Sequence, residues 1–369
     1  MNKTIFILIT VCVLFMQDVY TQQKNSTNVN TIKIGLLIKS DKSFDARNGA
    51  ELAISIANEI EGLDERKFNL AVRSMEGPWG TGSKEVVNLV FKEKVWAILG
   101  SHDGRNAHLV EQVIAKTQIV FLSAWASDPT LSQAFVPWYF NCVPNDLQQA
   151  DALIEKIYGK GKIAKIAIVS DRGYDSELAL HSFLKKLKIT GKADPVQFFY
   201  KTPDKEFNIL IDEINKAGVT GILLFGEPAS SLRFINQLRG KKMNQSVFGT
   251  LSLMGETKFS EDELANFEGI MFVSSVNWLG SNGINFKKAF QRKYGKDPTE
   301  IAAYAFDGMN LIIEAIISSN YDRDKVQEAM SKSNYKGVTG TVQFDKRGNR
   351  RGNPELKELI NGIPVSVKK

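Results

Sequence analysis

Short runs of apolar residues alternate along most of this chain with segments whose apolar residues recur at helical spacing. Ile32–Ile38 is a nearly continuous apolar run, which is typical of a strand buried on both faces of a sheet. In Arg47–Ile60 the apolar residues include Ala50, Ala53 and Ala57, which lie on one face of a helix. Repeated strand–helix units of this kind predict an α/β protein with parallel sheets and right-handed crossovers.

The predicted units form two consecutive series and a later helical block. The first series has strands Ile32–Ile38, Phe68–Ser74, Val95–Leu99, Ile119–Leu122 and Trp138–Cys142, with helices Arg47–Ile60, Lys84–Lys92 and Ala107–Ala115. The second has helices Leu147–Ile157, Ser176–Leu187, Phe207–Lys216 and Ser230–Arg239, with strands Ile163–Val169, Pro195–Tyr200, Gly221–Phe225 and Val247–Gly249. Three helices, Phe286–Tyr294, Glu300–Ser318 and Lys325–Met330, precede a last predicted strand, Thr341–Phe344.

The first thirty residues have a different pattern. The first four residues carry one positive charge, and the apolar stretch Ile5–Met16 is too short to span a bilayer. We therefore predict a signal peptide over 1–21, cleaved before Gln22, and a polar leader over 22–30. A buried N-terminal helix is the alternative interpretation.

Composition narrows the function without identifying it. The chain has 369 residues, 43% hydrophobic and 24% charged, as expected for two globular domains. The net charge is +6, but much of the excess lies in a short stretch, Lys346–Arg351, and in the last two residues. Basic residues do not alternate with aromatic ones as in nucleic-acid-binding modules, so no nucleic-acid partner is expected.

The sequence offers little support for catalysis. None of the three histidines has a metal-ligand partner at suitable spacing, and no nucleophile motif is present. We therefore expect no enzyme activity, no metal and no cofactor. Cys12 follows Val11 rather than a small residue, so a lipid anchor is not expected. Removal of the signal peptide would leave only Cys142, which is expected to be buried and without a disulfide partner.

Two motifs near the C-terminal end connect the chain to a known family. A helix contains Tyr304-Ala-Phe-Asp307, and the segment Gly337–Gly348 reads G-x-T-G-x-V-x-F-D-x-x-G. Together these motifs resemble the leucine/isoleucine/valine-binding family of periplasmic solute-binding proteins. The resemblance extends from about Ile32 to about Gly352.

The resemblance implies a type I periplasmic-binding fold, in which two doubly wound, Rossmann-like lobes are joined by a three-strand hinge. The first lobe would comprise 31–143 plus 277–337, and the second 144–276 plus 338–369. The late helices would thus return to the first lobe and the strand Thr341–Phe344 to the second.

The resemblance also implies a function. A monomer in the periplasm would capture a small-molecule solute by closing its hinge, and would deliver the solute to an inner-membrane ABC permease. The alternative is a sensing protein that presents the solute to a receptor or regulator.

Candidate site residues lie in the loops after the strands, where open parallel sheets bind ligands. The loop Gly100–Asn106 opens a helix, whose free N–H groups and dipole attract an anion such as a carboxylate. The resemblance implies solute contacts from Asp103, Gly104 and Arg105, which stand where relatives place serines. Alternatively, Asp103 only caps the helix and Arg105 is solvated.

The resemblance implies further contacts from other loops. In the first lobe, Ser127 would contribute a hydroxyl and Trp125 a backbone contact or a stacking surface, although Trp125 also fits the core. In the second lobe, Tyr174 would close over the solute, unless it is only a helix-start residue. Glu227 would receive an ammonium group, or would only complement a helix dipole.

Leu251 stands where relatives that bind amino acids place an acidic residue. That position would otherwise hold the partner of the solute's α-ammonium group. We therefore expect a small polar solute, amino-acid-like or amide-like, with a carboxylate or amide end. We do not expect leucine to bind best.

Overall fold

A computed structural model describes residues 31–60, 66–78, 80–100, 103–159, 165–202, 204–255 and 261–367. The predicted signal peptide and leader, together with Ser101 and His102 of the first candidate loop, lie outside the described residues.

The first lobe is built on a five-stranded parallel sheet of order β2-β1-β3-β4-β5. Its strands are β1 (Thr31–Ile38), β2 (Lys67–Ser74), β3 (Ala97–Gly100), β4 (Val120–Ser123) and β5 (Tyr139–Asn141). The helices are α1 (Phe44–Glu59), α2 (Thr81–Val87), which continues into a π-helical turn at Asn88–Lys92, and α3 (Gly104–Thr117). Leu36 packs into the core on one face of the sheet and Leu37 into the core on the other. This explains why β1 is a continuous apolar run.

The second lobe repeats this construction. Strands β6 (Ile166–Ser170), β7 (Val196–Phe199), β8 (Gly221–Phe225), β9 (Ser246–Gly249) and β10 (Met271–Ser274) form a parallel sheet of order β10-β9-β8-β6-β7. The helices are α4 (Asp146–Tyr158), α5 (Tyr174–Ile189), α6 (Asn208–Lys216), α7 (Pro228–Gly240) and α8 (Glu261–Phe267). Helix α8 and strand β10 were not predicted from the sequence pattern.

The late helices pack against the first lobe. They are α9 (Ser281–Tyr294), α10 (Glu300–Ser318) and α11 (Val326–Ser331). The Tyr294 hydroxyl donates to the Asn48 carbonyl at 3.0 Å, and α10 contributes much of the core that covers β1. By length and composition α10 could cross a membrane, but 72% of its most apolar window is buried inside the protein. Its hydropathy is therefore explained by its place in the core.

The prediction that Thr341–Phe344 joins the second lobe is wrong. Strand β12 (Gly340–Val342) pairs instead with β11 (Tyr335–Gly337) in a hairpin. Val342 and Phe344 lie in the core of the first lobe. There Phe344 packs edge-on against Phe140, with 5.0 Å between the ring centroids.

Two later strands, β13 (Glu355–Ile360) and β14 (Ile363–Ser366), add an antiparallel edge to β10. The chain therefore returns to the second lobe between Phe344 and Glu355 rather than at residue 338. The other predicted lobe limits remain proposals.

The chain crosses between the lobes three times: after β5, after β10 and between Phe344 and Glu355. The two C-terminal motifs have a structural role at these crossings. Asp307 is fully buried and accepts from the backbone N–H groups of Val338 at 3.0 Å and Thr339 at 2.6 Å. The Tyr304 hydroxyl accepts from the N–H of Ser275, which follows β10. A Cβ added at Gly337 would lie 2.4 Å from Asp307 Oδ1, so only glycine allows this approach.

Arg350 ties the crossings together. Its buried guanidinium donates to the carbonyls of Cys142 at 2.9 Å and Thr341 at 3.2 Å, and also to the carbonyl of Thr339. Cys142 follows β5, whereas the two threonines belong to or flank the hairpin. A single side chain thus joins the first crossing to the third.

Glu300 gives the fold a predictable pH dependence. It is buried beside the second crossing, where Ser274 Oγ donates to its carboxyl group at 2.6 Å. Burial raises its pKa to about 7 from 4.5, against the opposing effects of Ser274, Trp278 and Lys357. A raised acid pKa stabilises the fold at low pH, and this contribution is lost as pH rises from about 4.5 to 7.

The free energy of unfolding of Glu300→Gln, measured relative to that of wild type, is therefore expected to be about 1–3 kcal/mol higher at pH 8 than at pH 5. Urea unfolding at the two pH values measures this difference. Glu59→Gln, at the exposed end of α1, is the control. An unchanged difference between Glu300→Gln and wild type at the two pH values would contradict this assignment.

Candidate functional site

A cleft of about 790 Å³ lies between the lobes, beyond the carboxyl ends of their parallel strands. Seven of the eight predicted site residues line it: Asp103, Arg105, Trp125, Ser127, Tyr174, Glu227 and Leu251. The eighth, Gly104, contributes its backbone N–H to a contact across the cleft. The structure thus brings together loops that are far apart in sequence. This placement follows from the rule that parallel strands present their following loops at one edge.

Helix α3 begins directly on the cleft. Asp103 is its N-cap and accepts from Asn106 N at 2.7 Å, as the capping alternative predicted. Asp103 also faces the cleft. Gly104 N–H donates at 2.8 Å to Oδ1 of Asp175, which lies in the second lobe. The preceding strand ends at Gly100, where φ is +144° and an added Cβ would lie 2.4 Å from the Leu37 carbonyl oxygen.

A second contact between the lobes centres on Asp128. The Tyr174 hydroxyl donates to Asp128 Oδ2 at 3.4 Å, and His108 Nε2 lies 2.9 Å from the same oxygen. Hydrogen bonds to Asp128 and Glu111 raise the pKa of His108 to about 9. Burial opposes ionisation of Asp128, but the bonds from His108 and Thr130 lower its pKa overall. His108 and Asp128 therefore form an ion pair at neutral pH, and Tyr174 rests against it.

Two further carboxyl groups line the cleft, and burial raises the pKa of each. Burial raises the pKa of Asp175 to about 7, and the charges of Asp103 and Asp128 add to the shift. Burial also raises the pKa of Asp146 well above its usual value, despite a hydrogen bond from Ser127. Burial therefore favours the neutral form of Asp146, and Asp175 titrates near neutrality.

The apolar wall of the cleft is formed from both lobes. Trp125 is partly exposed to the cleft and packs edge-on against Tyr304, with 5.7 Å between ring centroids. It thus combines the two alternatives, core packing and a surface available to a solute. Leu251 is buried, and its N–H donates to Gln149 Oε1 at 2.8 Å. The position therefore offers a solute neither an acid nor a backbone donor.

The rim of the cleft carries a salt bridge between the lobes. Glu227 Oε1 lies 3.5 Å from Lys39 Nζ, and both side chains are more than half exposed. Such a pair is worth at most about 1 kcal/mol. Glu227 precedes Pro228 at the start of α7 without capping it by a side-chain bond. Glu227 thus faces both the helix dipole and the cleft.

Four ionisable residues that line this cleft were not predicted from the sequence: Lys39, Asp146, Arg172 and Asp175. Lys39 directly follows β1, and applying the strand-end rule to β1 would have found it. Arg172 and Asp175 lie on either side of the predicted Tyr174, in the segment that joins β6 to α5 and in the first turn of α5. Asp146 opens α4 after the first crossing and carried no such signal. Within the described ranges, no group of three His, Cys, Asp or Glu side chains is arranged to hold a metal ion.

Comparisons with known proteins agree with this architecture. A sequence profile described as periplasmic binding protein matches residues 31–355. The Leu/Ile/Val-binding protein homolog 1 of Brucella abortus (strain 2308) is 23% identical over 310 residues, which cover 82% of this chain and 81% of that protein.

Two solved structures illustrate the similarity in fold. The substrate-binding protein LivJ of a Streptococcus pneumoniae branched-chain amino acid transporter, in complex with isoleucine, has a TM-score of 0.80 at 19% identity and covers 91% of this chain and 100% of that chain. An ABC transporter solute-binding protein from R. palustris, in complex with benzoate, has a TM-score of 0.80 at 20% identity, with coverage of 91% and 95%.

Proposed function

Because the chain belongs to the periplasmic binding protein family, in its leucine/isoleucine/valine-binding group, we propose that it captures a small polar solute for an inner-membrane ABC permease. It is a solute-binding protein of the branched-chain amino acid transporter type. The observation that carries the finer proposal is the cleft between the lobes, which seven predicted site residues line.

The proposed mechanism is closure of the two lobes about the crossings. Three polar contacts already span the cleft: Gly104 to Asp175, Tyr174 to Asp128, and Lys39 to Glu227. A solute held by both lobes adds contacts that exist only when they are closed. To shift the population almost completely, it must favour the closed state by roughly 5.5 kcal/mol. The permease then recognises the closed form.

The residues of the cleft suit a solute with one polar end and one flat or apolar body. Arg105 and Ser127 supply polar groups, and Trp125 and Tyr174 supply ring surfaces. The relatives in complex with isoleucine and with benzoate hold solutes of this general form. Leu251 leaves Glu227 as the acid available for an ammonium group among the predicted residues, so we propose a carboxylate-bearing or amide-bearing solute other than leucine.

The test uses the protein purified from its host. Native mass spectrometry is expected to show one bound small molecule on a monomer, and small-angle scattering is expected to show expansion when that molecule is removed. We also propose export to the periplasm, so N-terminal sequencing of the same preparation should begin near Gln22. A protein that carries no solute and has the same dimensions before and after dialysis would contradict the proposed function.

Replacing Arg105 by alanine is expected to weaken solute binding. Its guanidinium lies 5.2 Å from the centre of the Tyr174 ring, at the mouth of the cleft. Loss of a charge-assisted hydrogen bond costs roughly 1.5–3 kcal/mol, which corresponds to about a tenfold to hundredfold loss of affinity. Calorimetry with the identified solute measures the effect, and Arg292→Ala on the exposed face of α9 is the control. Equal affinities of wild type and Arg105→Ala would remove Arg105 from the site.

A further inference from the structure

Asp175 of the second lobe occupies the start of helix α3 in the first lobe. Its Oδ1 accepts from the N–H of Gly104, the first residue of that helix, at 2.8 Å. N–H groups in the first turn of a helix have no partner within the helix and, with the helix dipole, favour an anion. A carboxylate of the protein itself therefore occupies the position where the sequence analysis expected a solute carboxylate.

The geometry around this contact is tightly constrained. A Cβ added at Gly104 would lie 2.9 Å from the Asp128 Cβ and 3.0 Å from Asp175 Oδ1. A side chain at position 104 would thus crowd Asp128 within the first lobe and Asp175 across the cleft. In the same turn, Asp103 already takes the N–H of Asn106. Two of the N–H groups that would bind a solute anion are therefore engaged by aspartates.

The surrounding charges also oppose a carboxylate. Asp103 and Asp128 act electrostatically on Asp175, while Lys39 is the cation that acts in the other direction. Asp146, a further acid lining the cleft, interacts electrostatically with Asp175 and Asp128. A solute carboxylate placed beside α3 would face the carboxyl groups of Asp103 and Asp175, and like charges disfavour ionisation at such a site.

A neutral amide can bind beside Asp175 at the start of α3. Its N–H groups can donate to the carboxylate of Asp175, and its carbonyl oxygen can accept from Arg105 on the same helix turn. A carboxylate has no donor to offer an aspartate. The difference between the two kinds of solute is therefore one of hydrogen-bond polarity as well as charge.

We propose that Asp175 is a specificity-determining residue that stands in for a solute carboxylate on α3, so that the cleft selects a solute's amide form over its acid form. This inference rests on the proposed function and narrows its solute class.

The test compares matched acid and amide probes, namely leucine with leucinamide and benzoate with benzamide. Calorimetry and thermal shifts are recorded at pH 7.5 for wild type, Asp175→Gly and Asp175→Asn. Asp175→Gly frees the Gly104 N–H, so its acid-to-amide affinity ratio is expected to rise about tenfold to a hundredfold over wild type for at least one pair. Asp175→Asn separates charge from shape, because it keeps the size of the side chain but not the carboxylate.

Glu177→Gln, on the exposed face of the same helix, is the matched control and should keep the wild-type ratio. The proposal is overturned if wild type binds the acid of each pair more tightly than the amide, or if Asp175→Gly gains affinity for neither acid. Either result would leave the proposed function intact when a host solute still co-purifies with the protein. Absence of any bound host solute, in contrast, would count against the proposed function itself.

Discussion

Asp307→Ala is expected to lower the free energy of unfolding by about 3–5 kcal/mol, because it removes the acceptor for a set of buried donors. The Asp307 carboxylate accepts from the backbone of Val338 and Thr339, and also from the Thr339 hydroxyl at 2.7 Å and the Tyr335 hydroxyl at 3.3 Å. Without it, two buried N–H groups lose their partner and the hairpin loses its attachment to α10. Urea unfolding followed by circular dichroism measures the change.

Two variants frame this prediction. Asp307→Asn keeps one acceptor oxygen but turns an amide NH₂ toward backbone donors, so an intermediate loss is expected. Asp151→Ala, in an exposed ion pair with Lys186, is the control and should change stability by less than about 1 kcal/mol. A loss of less than 1 kcal/mol for Asp307→Ala would show that the first lobe does not depend on this attachment.

Arg350→Ala is expected to lower the free energy of unfolding by about 2–4 kcal/mol and to weaken the restraint on the relative positions of the two lobes. The side chain lies in the third crossing and donates to the carbonyls of Cys142, at the first crossing, and of Thr341, in the hairpin. A buried carbonyl left without its partner costs about 1–3 kcal/mol. Because Arg350 links the first crossing to the third, the variant should also widen the distribution of distances between the lobes. Urea unfolding and spin-label distances between the lobes measure the two effects.

Arg350→Lys tests whether geometry or charge matters at this position. Lysine keeps the charge but lacks the planar fork that reaches several carbonyls at once, so it should recover less than half of the loss. Arg351→Ala changes the exposed neighbour and should leave both measurements unchanged. Full recovery by lysine would reduce the role of Arg350 to that of a positive charge.

The fold was largely predictable because its strands are buried on both faces. In β1, neighbouring residues such as Leu36 and Leu37 enter different cores, so a continuous apolar run indicates a central parallel strand. Strand β13, which lies between β10 and the edge strand β14, carries no such signal, because its charged and apolar residues are mixed rather than continuous. Thr341–Phe344 was assigned to the wrong lobe because its place depends on the packing of Val342 and Phe344 in the core of the first lobe, which local sequence does not show.

The location of the candidate site was predictable from the sequence, but the contacts within it were less so. The position of loops at strand ends indicated the cleft, and the resemblance to the family selected Arg105, Ser127 and Tyr174 among the residues that line it. The role proposed for Asp175 depends on a contact with Gly104, 71 positions away in the other lobe. No local pattern announces such a contact, because it exists only when two separately folded sheets approach each other.

The interleaved chain path has a consequence for the order of folding. The core of the first lobe is complete only when α9 and α10 arrive, as shown by the bond from Tyr294 to Asn48 across 246 positions of sequence. The second sheet waits still longer for β13 to cover the edge of β10. Contacts so distant in sequence slow folding, because the chain loses the entropy of closing a long loop before the contact contributes any favourable energy. Each lobe has its own core, yet during synthesis both remain unfinished until late and then become able to fold at nearly the same moment.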